Sequence, residues 1–402
     1  MSGTDWLGLL LTLPAAAYAA VFLRYRRAWR GLRPGRMAEE TAAASKPADG
    51  HGLNAAAGAP APLVSVLIAA RNEAAALPRL LADLRAQTWL HLAGPPFEVI
   101  VADDHSTDAT AAVVCAAAAD SPFPLRLLAL AGLPNRPTGK KAAVEAALAV
   151  ARAPWAVCTD ADCRVGEGWL AAYAPYFAAE QVQFISGPVL LTGRGLLADL
   201  QGLELAALVG TGAASIALAA PTMCNGANLA YRRAAFHEVG GFRGNDHLPS
   251  GDDEFLLHKL AARYPQGIRF VADAAATVRT AAQPTLGALL QQRVRWASKW
   301  RHYQPGGASR GLALLVLGAN LSLYLLALLL LIRPAAWPWA AAGWALKLGA
   351  DVAFLRPVLG FFGRRRWLGL VPLLQLLYPP YALAVGLLGL RGGYQWKGRR
   401  AG

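Results

Sequence analysis

The stretch VCTDADCRVGEGW, residues 157–169, places Asp160 and Asp162 one residue apart directly behind an apolar run. Side chains alternate along an extended chain, so two carboxylates at that spacing point the same way. That geometry suits a hard divalent cation, Mg²⁺ or Mn²⁺, which takes oxygen ligands and usually shares them with substrate phosphates. Taken alone, the pattern is also that of a polar turn capped by aspartate. Its company changes the reading.

VIVADDHSTDAT supplies Asp103 and Asp104 behind a second apolar run, an acidic pair of the kind a nucleotide base or ribose requires. Glu73 follows a third run in Arg71-Asn72-Glu73. Lys140 opens a helical stretch behind Gly139, where a phosphate can meet a helix N-terminus; Lys141 beside it reads as a surface residue. SGDDEFLLHKL, residues 250–260, puts Asp252, Asp253 and Glu254 in a row before a helix, more carboxylate than capping needs. One of them near a bound substrate can take a proton from a hydroxyl, an effect typically worth about 10²–10⁴ in rate. QQRVRW, residues 291–296, carries Gln292, Arg295 and Trp296, and by itself reads as an interfacial helix with snorkelling arginines.

These residues need elements to position them. LVSVLIAA (63–70), FEVIVADD (97–104), LRLLALA (125–131) and PWAVCTD (154–160) read as strands, separated by helical patterns. One of those helices is expected to start with Ser106 or Thr107 as its cap and Asp108 in its first turn. Strands alternating with helices predict an α/β fold with a mostly parallel sheet and helices on both faces. Ligands bind such sheets at the carboxyl ends of the strands. Glu73, Asp103, Asp104, Asp160 and Asp162 all fall there, and carboxylates on one edge repel unless a cation or hydrogen-bonding ligand joins them.

The chain of 402 residues is 55% hydrophobic and 16% charged, too apolar for an ordinary soluble enzyme. Its formal charge of +14 is clustered as Arg-rich stretches beside apolar segments, the positive-inside pattern rather than a nucleic-acid surface. Cys115, Cys158, Cys163 and Cys224 form no C-x-x-C pair and read as small buried hydrophobes of a reducing compartment.

Residues 1–36 read as a membrane anchor with a basic juxtamembrane segment, the span being 6–23. Residues 37–62 form a linker and 63–305 a cytosolic catalytic domain. Residues 306–402 form a C-terminal membrane region of two to four spans. Its candidates are 311–332, 335–355 and 367–390, the last either a kinked helix or a hairpin turning at YPP (378–380). Residues 196–220 read as a buried or amphipathic helix. Lys347 and Asp351 read as a self-neutralising pair where a helix meets the membrane interface.

Together the motifs resemble family 2 glycosyltransferases of GT-A (Rossmann-like) fold, more closely the membrane-anchored members carrying Q-x-x-R-W. The resemblance covers roughly residues 63–300, with the motifs in the family's order. It implies that Glu73, Asp103 and Asp104 are uridine-binding acids and that Lys140 faces the donor phosphates. Asp160-Ala161-Asp162 matches D-x-D, making Asp162 the metal ligand and placing Asp160 nearer the sugar or ribose. Asp253 is the implied catalytic base, although Asp252 stands where Glu is usual, so the two can exchange roles. Lys259 stands where the family often has Arg. Gln292, Arg295 and Trp296 correspond to the donor–acceptor junction, and Asn228, in CNGANLAYRR, to the acceptor side. The implied function is metal-dependent, inverting transfer from a nucleotide sugar, UDP-linked, to a lipid or membrane-bound acceptor in a bacterial plasma membrane. A processive polysaccharide synthase and a catalytically silent subunit are the alternatives.

Overall fold

The computed structural model describes residues 2–32, 63–91, 97–245, 251–298, 307–391, 394–396 and 399–401. The linker expected at 37–62 lies outside them. The chain folds as two compact units. A sheet unit comprises residues 32–191 and 224–281; a helical unit takes the N-terminal 31 residues, 192–223 and 282–402. Residues 192–223 and 282–298, inside the stretch expected as catalytic domain, belong to the helical unit.

The strands of the sheet unit are β1 (Val64–Ala70), β2 (Phe97–Asp103), β3 (Leu125–Ala129), β4 (Trp155–Asp160), β5 (Phe184–Ser186), β6 (Val189–Thr192), β7 (Leu229–Arg232), β8 (Ile268–Phe270) and β9 (Val278–Ala281). Seven of them form one sheet in the order β3-β2-β1-β4-β7-β5-β8. β1, β2, β3 and β4 pair in parallel, as their uninterrupted apolar runs predict. β7 inserts antiparallel between β4 and β5, and β5 returns to parallel pairing with β8. The sheet is mostly parallel, with helices packed against it. Register does the positioning: Ala70 lies opposite Asp103 and Ala69 opposite Asp160, so three strands deliver their polar ends at one edge.

A buried carboxylate stabilises this sheet. Glu98 on β2 accepts from the Ser65 hydroxyl at 2.7 Å and from the Arg152 N–H and Nε at 2.7 and 2.9 Å. Burial opposes its charge, but the Arg152 and Ser65 hydrogen bonds prevail and hold its pKa below the usual carboxylate range.

Within the helical unit, Gly3–Gly31, Leu196–Ala217, Ala308–Ile332 and Arg365–Gly389 are long and apolar enough to cross a membrane, among the described residues. The helix Trp337–Phe361, expected as a span, is not among these four; it carries Lys347, Asp351 and Arg356. The glycines of Leu196–Ala217 mark close approach. A Cβ at Gly202 would lie 2.3 Å from the Trp367 ring, and one at Gly210 2.8 Å from Val358.

Of the two arrangements expected around YPP, the structure has the single helix: Val371–Arg391 is continuous, with Pro379 and Pro380 inside it. Pro380 has no N–H for the Leu376 carbonyl, and the Tyr324 hydroxyl, from Ala308–Ile332, takes that carbonyl instead. Lys347 is enclosed by protein within the helical unit. It is 5% exposed, paired with Asp351 at 2.8 Å and stacked over the Tyr18 ring, while the Tyr18 hydroxyl donates to Asp351 at 2.6 Å.

Candidate active site

The polar edge of the sheet is laced together by side chain to backbone hydrogen bonds. Asn72, in left-handed conformation (φ 53°), accepts from the Thr107 N–H at 2.8 Å, and its own N–H reaches the Ser106 hydroxyl at 3.0 Å. The Glu73 N–H donates to the Thr110 hydroxyl at 2.8 Å. Ser106 and Thr107 therefore tie two loops rather than cap the next helix. That helix starts at Thr110, whose N–H donates to Asp108 at 3.0 Å.

Asp103 and Asp104 are both buried. Asp103 accepts from the Ser106 N–H at 3.0 Å. Asp104 Oδ1 lies 3.1 Å from His105 Nδ1, and Oδ2 accepts from the Gly139 N–H at 3.1 Å. Gly139 has a φ of 93°, a region that L side chains rarely enter, and it lets the chain present this N–H and then turn into the helix Lys140–Val150.

The next residue reaches the other acids. Lys140 Nζ lies 2.7 Å from Asp160 Oδ1 and 3.3 Å from Asp252 Oδ2, with its side chain 23% exposed. Burial works against the ammonium, yet Asp160, Asp252 and Asp253 hold its pKa well above the usual lysine range. Gly139–Lys140 thus joins the Asp103–Asp104 group to the Asp160 and Asp252 group. Lys141, expected at the surface, is buried and donates to the Asn245 carbonyl.

Donor atoms of Asp160, Asp162 and Cys163 all lie within 4.8 Å of one another. Asp160 is half-buried, Asp162 exposed and Cys163 buried. Burial, followed by Asp160 and Asp162, pushes the Cys163 thiol well up, so it is neutral beside the carboxylates. The donor set fits Mg²⁺ or Mn²⁺: two hard oxygen ligands, with the remaining positions open to phosphate oxygens and water.

Asp252 and Asp253 differ in surroundings. Asp253 caps the helix Glu254–Arg263: Oδ1 accepts from the Glu254 N–H at 2.8 Å and Oδ2 from the Gly226 N–H at 2.8 Å. Asp252 instead lines a small cavity with Lys140, Cys158, Gly226 and Tyr231. In that cavity burial pushes the Cys158 thiol up to about 12. Lys259, at the family's usual Arg position, donates to the Gly241 and Arg243 carbonyls at 2.7 and 2.6 Å and so holds the adjoining turn.

Residues 60–298 match the model described as "Glycosyltransferase like family 2". The protein belongs to that family. No curated protein matches the chain. Among solved structures, it is similar to a mannosyltransferase from Pyrobaculum calidifontis in complex with GDP-Man and Mn²⁺ (23% identity, 91% of this chain and 99% of that one, TM-score 0.48). It is also similar to glucosyl-3-phosphoglycerate synthase from Mycobacterium tuberculosis with Mn²⁺, UDP and glucosyl-3-phosphoglycerate (18%, 61% and 82%, TM-score 0.41). A third is TarS of S. aureus (18%, 82% and 89%, TM-score 0.40).

Other residues singled out in the sequence fall elsewhere. Asn228 is fully buried. Its oxygen accepts from Trp169 Nε1 at 3.0 Å and the Tyr173 hydroxyl at 2.7 Å, and its nitrogen donates to the Pro188 and Ala276 carbonyls, both at 2.8 Å. With two donors and two lone pairs all engaged, this amide is a structural tie and has none left for an acceptor. Cys115 is exposed rather than buried, and the four cysteines are free thiols.

Gln292, Arg295 and Trp296 lie on the helix Leu286–Ala297 of the helical unit. There the buried arginine is Arg293, which sequence reasoning passed over. It is 4% exposed, reaches Glu204 Oε2 with Nε at 3.1 Å and Nη2 at 2.8 Å, donates to Gln292, and covers the Trp296 ring at 4.2 Å. Glu204 also accepts from the Tyr381 hydroxyl at 3.2 Å. The signal for Arg293 was Glu204 itself, an acid inside an apolar helix that needs a cation when buried.

Proposed function

We propose that this family 2 glycosyltransferase moves a sugar from a UDP-linked donor to a hydroxyl of a lipid or membrane-associated acceptor, with inversion at the anomeric carbon. The observation that carries this reading is the linked group Asp104–Gly139–Lys140–Asp160, with Asp162 beside it, at and beyond the carboxyl ends of β2, β3 and β4. Helices of membrane-crossing length support an acceptor at the bilayer.

In this reading Glu73, Asp103 and Asp104 receive the uridine, while Asp160 faces the sugar or ribose. Asp162, with Asp160, would hold a divalent cation that supplies charge stabilisation to the departing diphosphate. Lys140 adds positive charge toward the same oxygens. Asp253, fixed by two N–H groups, takes the acceptor proton; the acceptor oxygen bonds the anomeric carbon as the bond to the diphosphate breaks, and UDP leaves with that electron pair. Asp252 serves as the carboxylate partner of Lys140.

The test is UDP release by the detergent-purified full chain with Mn²⁺ or Mg²⁺ across a panel of UDP-sugars, for wild type, Asp162→Ala and Asp253→Asn. Turnover with one sugar, lost in both variants, supports the proposal. Polymeric product on a defined acceptor indicates a processive synthase. UDP binding without turnover on any acceptor indicates a silent subunit, and no UDP binding removes the uridine site.

A further inference from the structure

Resting on the metal site just proposed, we infer that Lys140 is an internal cation that shares Asp160 with the divalent metal, so that metal entry is a displacement rather than a simple addition. Lys140 Nζ is closer to Asp160 Oδ1, at 2.7 Å, than to Asp252 Oδ2, at 3.3 Å. The carboxylate that contributes to the metal donor set is therefore already neutralised by a cation of this chain. The ammonium is confined, because a Cβ at Gly226 would lie 3.0 Å from Lys140 Nζ and 3.2 Å from Asp252 Oδ2. It has two carboxylate anchors, so it can release Asp160 while remaining on Asp252 or turning to a diphosphate oxygen.

Two consequences have opposite signs. Without nucleotide, Lys140 opposes the metal, since both draw on Asp160. With nucleotide bound, the released ammonium adds to the charge facing the diphosphate. A lysine that served only to bind phosphate would give the second effect alone.

The experiment is Mn²⁺ titration of the purified full chain followed by electron paramagnetic resonance, with unfolding temperature recorded with and without Mn²⁺. Lys140→Met is expected to bind Mn²⁺ alone more tightly than wild type, by about tenfold, the equivalent of removing one competing charge-assisted hydrogen bond. Mn²⁺ is also expected to raise its unfolding temperature by more than it raises that of wild type. In the presence of Mn²⁺ the same variant is expected to bind UDP more weakly. Should Lys140→Met not fold, Lys140→Gln keeps a polar donor at the position, removes the charge, and carries the same expectations. Equal or weaker Mn²⁺ affinity in the lysine variants, with Mn²⁺ binding still abolished by Asp162→Asn, overturns the displacement and leaves the metal site standing. Unchanged Mn²⁺ binding in Asp162→Asn overturns both.

Discussion

The backbone N–H of Gly226 donates to Oδ2 of Asp253 at 2.8 Å, while the other carboxylate oxygen is held by the N–H of Glu254. Asp253 is thereby a carboxylate of fixed direction, its plane set by the Gly226 loop and the start of its own helix, and Asp252 next to it is the one that borders the cavity. The two acids differ in what they are attached to, and the differences are separable by mutation.

Asp253→Asn is expected to lower kcat by about 10²–10⁴, the usual worth of a positioned base. It also places an amide against one of two backbone donors. Asp252→Asn is expected to act mainly on donor binding, through Lys140. Measuring kcat and KM for the two variants on one donor–acceptor pair checks this; equal kcat losses with unchanged KM would assign the base to Asp252 as well.

Gly226→Ala brings a methyl to 3.0 Å from Lys140 Nζ, 3.2 Å from Asp252 Oδ2 and 3.5 Å from Asp253 Cβ. The expected result is a loss of activity of about 10²-fold from displaced catalytic groups. Little change in unfolding temperature should accompany it, since the crowded atoms belong to flexible side-chain ends. Kinetics and calorimetry on the same preparation check both halves.

Glu98→Gln removes a buried charge whose partners remain, at an expected cost of about 1–3 kcal/mol. The folded-state pKa of Glu98 is depressed, so its contribution to stability is complete above the ordinary glutamate value, about 4.3, and is lost as pH falls toward the lowered value. Wild-type stability should therefore decline through that window, and the variant should show a shallower decline. Chemical denaturation at several pH values between neutrality and acid measures it.

Arg293→Met leaves the largely enclosed Glu204 with the Tyr381 hydroxyl and is expected to destabilise the helical unit by about 3 kcal/mol. Glu204→Gln in the same chain should restore much of that loss. Unfolding in detergent of the single and double variants tests the pair, and additive losses would refute it.

The central sheet was legible because β1, β2 and β4 are apolar runs ending in polar residues, a pattern set by local sequence alone. Strands β5, β7 and β8 are three or four residues long and carry no periodic signal, so the antiparallel insertion of β7 was hidden. The acids were found by position at strand ends. What sequence could not assign was which polar side chains the tertiary fold would consume: Asn228, Lys141 and Arg293 are polar residues whose partners are remote in sequence. Lys140 was placed toward phosphate, but its contact with Asp252 depends on a residue more than a hundred positions away.

The double proline in Val371–Arg391 has a consequence for how the helical unit finds its own arrangement. An uninterrupted apolar helix satisfies its interior carbonyls internally and can slide or rotate against a neighbour with small energetic preference. Pro379 and Pro380 relieve the Gln375 and Leu376 carbonyls of their internal donors, and Tyr324 answers the one at Leu376, a directional acceptor at a fixed height and azimuth. Pairing of these two helices is thus addressed by a single matched donor and acceptor. A Tyr324→Phe chain would retain both helices and lose the mark by which they recognise their register.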